Sequence, residues 1–273
     1  MKPKISVIYP TCRPGSIDLL AWSLSQQPKE LYELIVVDGY PGRVNEANAS
    51  YFLCQHNINL IWYGPPKSKN YDLPLSFANS MNTGLLHARA DRVVFLHDYS
   101  FLQPGSLENW IKSFEENGTK AIISGIARKF DAPQPDKLDD ISVWNSDLHT
   151  TLGKLTIRDE WIPEIWEIFH CGFHIDFFNT INGFDERADG FIAWPLESVM
   201  TQAPKHGYRF VVDRRLWVGS IEHHHWKDSP VWNLGVVGVT KQEDFLCREN
   251  EPGWLRVSPN PYNFAEERKR NIG

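Results

Sequence analysis

Two apolar runs near the start of the chain, with a helical pattern between them, are the feature that most restricts the fold. Residues 4–9 and 34–37 have the density of β-branched and aliphatic side chains that is typical of buried strands. Residues 16–27 place apolar side chains at helical spacing, with Ser16 as a suitable N-cap. A strand, a helix and a second strand in this order predict a βαβ unit with parallel strands. We therefore expect an α/β fold.

The same alternation continues along most of the chain. Apolar runs predict further strands at 60–63, 92–96, 121–124 and 208–212. Helical spacing predicts helices over 76–88, over about 104–116, and over a segment that ends near Gly207. Residues 130–160 have little periodicity and predict a long surface insertion, while the last 55 or so residues are rich in tryptophan and predict loops.

Polar residues follow three of the predicted strands. Pro10-Thr11 begins the loop after the first strand, Asp38-Gly39 follows the second, and His97-Asp98-Tyr99 ends the run at 92–96. Because the carboxyl ends of parallel strands meet at one edge of a sheet, these side chains are expected to lie close together and to face a ligand. An aspartate at a strand end also forms turns, so turn formation remains the alternative role for Asp38 and Asp98.

Charge and cysteine content exclude several classes of protein. A formal net charge of -6 and a pI near 5.9 argue against a protein whose main ligand is nucleic acid. The four cysteines are scattered without a CxxC pair, which favours a reducing, cytoplasmic location over a disulfide framework or zinc ribbon. No run approaches the roughly 20 apolar residues of a membrane span, so a soluble protein without an integral membrane segment is expected.

Five segments, in this order and at these spacings, resemble motifs of the GT-A glycosyltransferases, and among them the family-2 type of inverting enzymes. The segments are Val7–Arg13, Glu33–Asp38, Asn82–Gly84 with Ala88–Asp91, Phe95–Tyr99, and Gly183–Glu186. The resemblance covers about residues 4–215. It implies a Rossmann-like GT-A domain over residues 1–215, with a mixed, mostly parallel sheet flanked by helices and an insertion at about 130–160. Residues 216–273 would then be a C-terminal extension that supplies a lid and metal ligands.

The resemblance also implies an activity and a nucleotide site. Enzymes of this type move a sugar from a nucleotide-diphosphate sugar to the hydroxyl group of a glycan or another acceptor, with inversion at the anomeric carbon. Thr11 and Asp38 would contact the nucleobase, the Asp38 carboxylate accepting a hydrogen bond from a ring N–H, and Arg13 would help to hold the nucleotide. The full set of nucleotide-sugar-binding residues expected from the motifs is Pro10, Thr11, Arg13, Asp38, Asn82, His97 and Asp98.

The metal-binding DxD motif of the family is degenerate in this chain. Its two acids fall on His97 and Tyr99, which leaves Asp98 as the one carboxylate. A carboxylate with imidazole ligands suits Mn2+ better than Mg2+, so Mn2+ is favoured as the cofactor. The family resemblance implies a further histidine from the C-terminal region, and His223 and His225 would share one face of an extended segment. A surface histidine cluster is the alternative.

An inverting transfer needs a general base that removes the proton of the attacking hydroxyl group. The family carries an acidic residue on the helix after the Gly-Phe-Asp-Glu motif, and Glu197 lies within one position of it. Asp189 is the second choice for the base. The alternative for Glu197 is a carboxylate stabilised by the amino end of its helix.

Two other functions compete with this one. The degenerate DxD motif is also compatible with a catalytically silent module that binds nucleotide sugars or glycans. A nucleotidyltransferase shares the sheet architecture but normally has a Gly-rich loop after its first strand, and residues 10–15 contain one glycine. The acidic composition disfavours a nucleic acid as the acceptor.

Overall fold

The computed structural model of the chain describes residues 2–11, 17–39, 53–66, 77–96, 100–131, 156–157, 170–186, 189, 194–222 and 260–272. Nine strands in these ranges form one sheet. In chain order they are β1 (Ile5–Thr11), β2 (Tyr32–Asp38), β3 (Leu60–Gly64), β4 (Arg92–Phe95), β5 (Ser100–Leu102), β6 (Ala121–Asp131), β7 (Thr156–Ile157), β8 (Cys171–His174) and β9 (Arg209–Glu222).

Helices pack around this sheet. They are α1 (Ile17–Ser25), α2 (Phe77–His87), α3 (Ser106–Asn117), α4 (Ile175–Ile181), α5 (Trp194–Lys205) and α6 (Phe264–Ile272), with a 3-10 turn at Lys29–Leu31. The longest of them, α3 and α5, have 12 residues each. Among the residues described, no helix is both long and apolar enough to cross a bilayer.

The sheet is mixed, and its strands run in the order β3-β2-β1-β4-β8-β6-β9-β5, with β7 paired to β6. The first four strands of this order are parallel to one another. Strand β8 is antiparallel to both of its neighbours, β4 and β6, whereas β6 and β9 run parallel. This arrangement confirms the predicted α/β class and brings the carboxyl ends of β1, β2, β3 and β4 to one edge.

Both faces of β1 are buried, as expected for a central strand of a parallel sheet. Its odd-numbered residues, such as Val7, belong to a core cluster that includes Leu20 of α1 and Trp110 of α3. Its residue Ile8 belongs to a second cluster with Met81 of α2. The sheet therefore separates two apolar layers, with α1 and α3 on one side and α2 and α4 on the other.

Helix α2 approaches β1 closely because it has a glycine at the point of contact. A Cβ atom on Gly84 would lie 2.3 Å from Cγ2 of Ile8. Any larger residue would push the helix away from the sheet. The glycine thus fixes how closely α2 packs on the middle of β1.

Pro10 and Thr11 were expected to begin a loop, but they form the last two positions of β1. In a parallel strand, alternate residues direct their N–H and C=O groups to the same neighbour, so Pro10 faces the β4 side as Ile8 does. Leu96 N donates to Ile8 O at 3.0 Å, where the pairing of β4 with β1 ends. Pro10 lacks the N–H that would continue this ladder, so the pairing of β1 with β4 stops at Ile8 while its pairing with β2 continues to Thr11.

The C-terminal segment was predicted to consist of loops, and helix α6 corrects this for residues 264–272. Asn263 Oδ1 accepts a hydrogen bond from Glu266 N at 3.2 Å, which caps the helix. Acidic residues occupy its first turn and basic residues its last, which suits the helix dipole. Strand β9 also runs through residue 215, where the expected domain boundary lies; the division into two regions stays a prediction.

Candidate functional site

The ends of β1 and β2 lie side by side at the carboxyl edge of the sheet. Thr11 and Asp38 are direct partners in the parallel register. Gly39 N donates to Thr11 O at 2.7 Å, so the pairing holds to the last residue of β1. Thr11 is 5% exposed, while Asp38 is partly exposed. Two residues that the sequence assigned to one nucleotide site are therefore brought together.

A third strand contributes to this end of the sheet through Tyr63. Its hydroxyl group donates a hydrogen bond to Asp38 Oδ2 at 2.6 Å. The sequence placed Tyr63 in a strand without giving it a role. The sequence does show a tyrosine near the end of the strand that follows β2, and this could have suggested a contact with Asp38. The register that aligns the two residues, however, includes a bulge in the β2–β3 pair, which the sequence does not reveal.

The metal and phosphate residues predicted from the DxD region, His97 and Asp98, lie outside the described residues, and so do Arg13, His223 and His225. Their flanking residues are described. Ser100, immediately after 97–99, pairs with Ser220 in antiparallel register, and β9 ends at Glu222. Within the described ranges, no group of three His, Cys, Asp or Glu side chains forms a metal site.

The Gly-Phe-Asp-Glu motif forms a turn after α4, and its backbone requires the glycine. Asn182 ends α4 in the left-handed conformation with φ 61°, and Gly183 follows with φ 77°. A Cβ atom on Gly183 would lie 2.7 Å from Asn82 Oδ1 and 2.9 Å from Phe264 Cδ2. We call residues 182–186 the GFDE turn.

Asn82 holds this turn from α2. Its side chain is 1% exposed, and its Oδ1 accepts from Phe184 N at 2.8 Å. Its Nδ2 donates to Phe184 O and to Glu186 Oε1, each at 2.9 Å. The amide group thus bridges the backbone and the acidic side chain of the turn. A contact between Asn82 and a nucleotide sugar stays a prediction.

Asp189 caps the amino end of α2. Its Oδ1 accepts from Ala78 N at 2.6 Å and its Oδ2 from Asn79 N at 3.2 Å. Burial raises the pKa of Asp189 to about 8, an effect that the two backbone hydrogen bonds oppose and the nearby carboxyl groups of Glu186 and Asp185 increase. These contacts give Asp189 an anchoring role, and its role as a base stays a prediction.

Glu197, the first choice for the base, lies in the first turn of α5. Its side chain is outside the described part of the chain. The helix itself is held by Val199 and Ala203, which are fully buried in the core cluster that contains Phe184 of the GFDE turn. The position of α5 therefore depends on the same packing that holds the turn.

The C-terminal segment contacts the GFDE turn, which the sequence did not predict. Asn260 Nδ2 donates to Asn182 O and to Phe184 O, each at 2.8 Å, and its Oδ1 accepts from Glu186 N at 3.2 Å. The Tyr262 hydroxyl donates to Glu186 Oε1. Burial raises the pKa of Tyr262, so the phenol is a neutral donor. No local periodicity marks these residues, which are more than 70 positions from the turn.

The chain is similar in structure to known sugar-transferring proteins. One is the mannosyltransferase PcManGT from Pyrobaculum calidifontis in complex with GDP-Man and Mn2+, with a TM-score of 0.55, 16% identity, and coverage of 85% of this chain and 60% of that chain. Another is TarS residues 1–349 from S. aureus in complex with UDP, with a TM-score of 0.53, 17% identity, and coverage of 80% and 60%. For TarS 1–349 in complex with UDP-GlcNAc, the TM-score is 0.51 and the identity 15%, with coverage of 81% of this chain and 59% of that chain.

The chain thus spans about 60% of the length of these solved structures, and at such identities the likeness shows the fold. None of the curated proteins compared with the chain matches it. The family model described as glycosyl transferase family 2 matches residues 6–174, which is more than half of the 273 residues. The paired strand ends at Thr11 and Asp38 and most of the sheet lie within this match. The chain belongs to glycosyl transferase family 2 and has the GT-A fold.

Proposed function

We propose that this protein is an inverting glycosyltransferase that moves a sugar from a nucleotide-diphosphate sugar to an acceptor hydroxyl group with the help of a divalent cation. The observation that carries the proposal is the Thr11–Asp38 pair at the carboxyl edge of a family-2 sheet, with Tyr63 bonded to the Asp38 carboxylate. A carboxylate held at this edge is suited to a ligand that offers N–H donors.

The donor nucleotide follows from the chemistry of Asp38. An ionised carboxylate accepts hydrogen bonds and does not donate them, so it favours a base with a protonated ring nitrogen. Uracil and guanine have such an N–H at neutral pH, whereas cytosine and adenine do not. The similar structures hold GDP-Man, UDP and UDP-GlcNAc. We therefore place a UDP- or GDP-linked sugar on Thr11 and Asp38, with Pro10, Arg13, Asn82 and His97 completing the donor site.

Asp98, His223 and His225 would hold the cation. The pairing of Ser100 with Ser220 supports this assignment, because the segments that carry these residues adjoin one strand pair at β5 and β9. One carboxylate with two imidazole groups is a donor set that Mn2+ accepts. When bound, the cation offsets the negative charge that develops on the diphosphate leaving group. The similar mannosyltransferase structure contains Mn2+.

The chemical step assigned to this chain is a single displacement. The Glu197 carboxylate takes the proton of the acceptor hydroxyl, the hydroxyl oxygen forms a bond to the anomeric carbon, and the bond from that carbon to the diphosphate oxygen breaks with its electron pair. Attack opposite the leaving group inverts the anomeric configuration. Glu197 is preferred to Asp189, whose oxygens cap α2.

Turnover of UDP- and GDP-sugars with Mn2+ tests the proposal. The wild type is expected to release nucleoside diphosphate, and Glu197→Gln is expected to lower kcat by about 100-fold or more while leaving the Kd of the nucleotide unchanged. Asp38→Ala should weaken nucleotide binding. Glu108→Gln, on the exposed face of α3, is the control that should behave like wild type. Nucleotide binding without turnover by the wild type would instead identify a silent binding module.

A further inference from the structure

We infer that Asn260 and Tyr262 are positioning residues for the transfer reaction: they hold the GFDE turn, and through it helix α5, in the geometry that transfer requires. The inference rests on the proposed function, because α5 carries the proposed base. It assigns the C-terminal segment a part in the active-site framework.

The GFDE turn is held by hydrogen bonds from the C-terminal segment. The N–H groups of its two left-handed residues, Asn182 and Gly183, both donate back to Phe178 O of α4. The carbonyl groups and the later amide groups of the turn therefore need partners outside the helix. Asn260 satisfies three such groups with one side chain, at Asn182 O, Phe184 O and Glu186 N. Phe264 N adds a bond to Asn182 Oδ1 at 2.8 Å. The C-terminal segment therefore supplies much of the framework of the turn.

The Glu186 carboxyl group is buried in an acidic part of the turn. Three acidic residues, Asp185, Glu186 and Asp189, are each less than 10% exposed within five positions of one another. Burying such groups is costly unless each has hydrogen-bond donors. Glu186 Oε1 has two donors, Asn82 from α2 and Tyr262 from the C-terminal segment. Without the Tyr262 hydroxyl, Glu186 keeps one of these donors and its rotamer is less well defined.

The GFDE turn is connected to α5 both along the chain and through the core. Asp189 follows the turn and is bonded to the amino end of α2, and α5 begins five residues later, at Trp194. Val199 of α5 and Phe184 of the turn are both fully buried in the same core cluster. A shift of the turn therefore displaces the start of α5, where the proposed base is located.

The segment also has an anchor away from the turn, so it can act as a support. Nη2 of Arg268 donates to Ala88 O at 2.6 Å, just past the carboxyl end of α2. Helix α6 packs on both α2 and α4. Loss of the Tyr262 hydroxyl or of the Asn260 amide should accordingly leave α6 docked while loosening the turn.

The test compares Tyr262→Phe, Asn260→Ala and Glu186→Gln with the control Arg270→Ala, which changes an exposed residue of α6 whose ion pairs stay within that helix. We expect Tyr262→Phe and Asn260→Ala to lower kcat at least about tenfold, with the Kd of UDP or GDP in Mn2+ within about twofold of wild type. Glu186→Gln still accepts from Tyr262 and should retain most of the activity, as a positioning role requires. Arg270→Ala should match the wild type.

Hydrogen exchange of the backbone provides a readout that does not depend on turnover. Faster exchange at residues 182–186 and 194–200 in Tyr262→Phe, with exchange in β1 and β2 unchanged, supports the structural part of the inference. This result is independent of turnover: if the wild type turns over no donor, the proposed function is wrong while the support of the turn by Tyr262 still holds. Wild-type exchange at these residues in both Tyr262→Phe and Asn260→Ala overturns the inference. So does wild-type kcat in both variants of an active enzyme.

Discussion

The Tyr63 hydroxyl donates a hydrogen bond to Asp38 Oδ2 at 2.6 Å, across the junction of β2 and β3. This bond restricts the rotamer of a partly exposed carboxylate at the carboxyl edge of the sheet. A preorganised acceptor loses less conformational entropy when a ligand N–H binds to it. The relationship explains why an edge strand of modest burial contributes to the proposed donor site.

Tyr63→Phe should weaken UDP or GDP binding by about five- to fiftyfold, because hydrogen bonds to charged groups contribute about 1.5–3 kcal/mol and part of this is retained through solvent. Isothermal titration calorimetry measures the effect. Tyr32→Phe is the matched control, since its hydroxyl donates to Leu24 O of helix α1 and not to Asp38. Equal nucleotide affinity in wild type and Tyr63→Phe would show that Asp38 needs no such support.

Glu33→Ala should strongly destabilise the protein. The Glu33 side chain is fully buried and accepts from Ser6 Oγ at 2.5 Å, and from Arg89 N and Nε at 2.6 Å each. Its removal leaves these donors without their acceptor, so we expect a loss of about 2–4 kcal/mol in the free energy of unfolding. Urea denaturation measures it.

The exposed ion pair between Lys2 and Asp91 provides the control for Glu33. Their side chains are 58% and 55% exposed and lie 2.8 Å apart. Lys2→Ala should change the free energy of unfolding by less than about 1 kcal/mol, because solvent screens such pairs. Similar losses in Lys2→Ala and Glu33→Ala would contradict the assignment of Glu33 as a buried hydrogen-bond centre.

Local sequence patterns were enough to predict most strands and helices of the amino-terminal half, although the three-residue strand β5 was not predicted. The apolar run at 34–37 lies inside β2, and the helix expected over 76–88 spans 77–87, because burial on a sheet and one-sided burial of a helix both leave a regular spacing. The same reasoning placed Thr11 and Asp38 at one edge. Their direct pairing confirms the prediction that these strand ends converge.

Long-range contacts account for what the sequence did not reveal. Asn260 and Tyr262 lie in a tryptophan-rich region without periodicity, and their partners are more than 70 residues away. Asn82 was recognised from its motif, but its hydrogen bonds to Phe184 and Glu186 depend on how α2 packs on β1. Such contacts are set by tertiary packing, which no local spacing encodes.

Gly183→Ala should lower the free energy of unfolding more than the same substitution at a left-handed glycine with open space around it. Gly105 is also left-handed, with φ 78° against 77°, but a Cβ atom there would meet nothing within 4 Å. Gly105→Ala should therefore cost about 1–2 kcal/mol from backbone strain alone. Gly183→Ala adds the clash with Asn82 Oδ1, and we expect about 2–4 kcal/mol in urea denaturation. Equal costs at the two positions would mean that the GFDE turn can move away from α2.

The pH dependence of stability should identify the protonation state of Asp189. Its pKa is raised to about 8 by burial, while an aspartate in the unfolded chain has a pKa near 3.9. Between these values the folded state keeps a proton that the unfolded state has released. The contribution of Asp189 to the free energy of unfolding therefore falls as pH rises from about 4 to 8, and is constant above that range.

Asp189→Asn removes this titration while leaving an oxygen that can accept from Ala78 N. Urea denaturation at pH 5, 6.5 and 8 gives the free energy of unfolding of wild type and of Asp189→Asn. The value for the wild type minus that for Asp189→Asn should decrease at each increase in pH. Asp213 provides the opposite case. The hydrogen bond from Arg215 lowers the pKa of Asp213 to about 2, so its contribution is present above pH 4 and is lost only below it. The difference between wild type and Asp213→Asn should accordingly stay constant from pH 5 to 8. A constant difference for Asp189→Asn over the same range would mean that the carboxyl group capping α2 is ionised, and that its two backbone donors outweigh its burial.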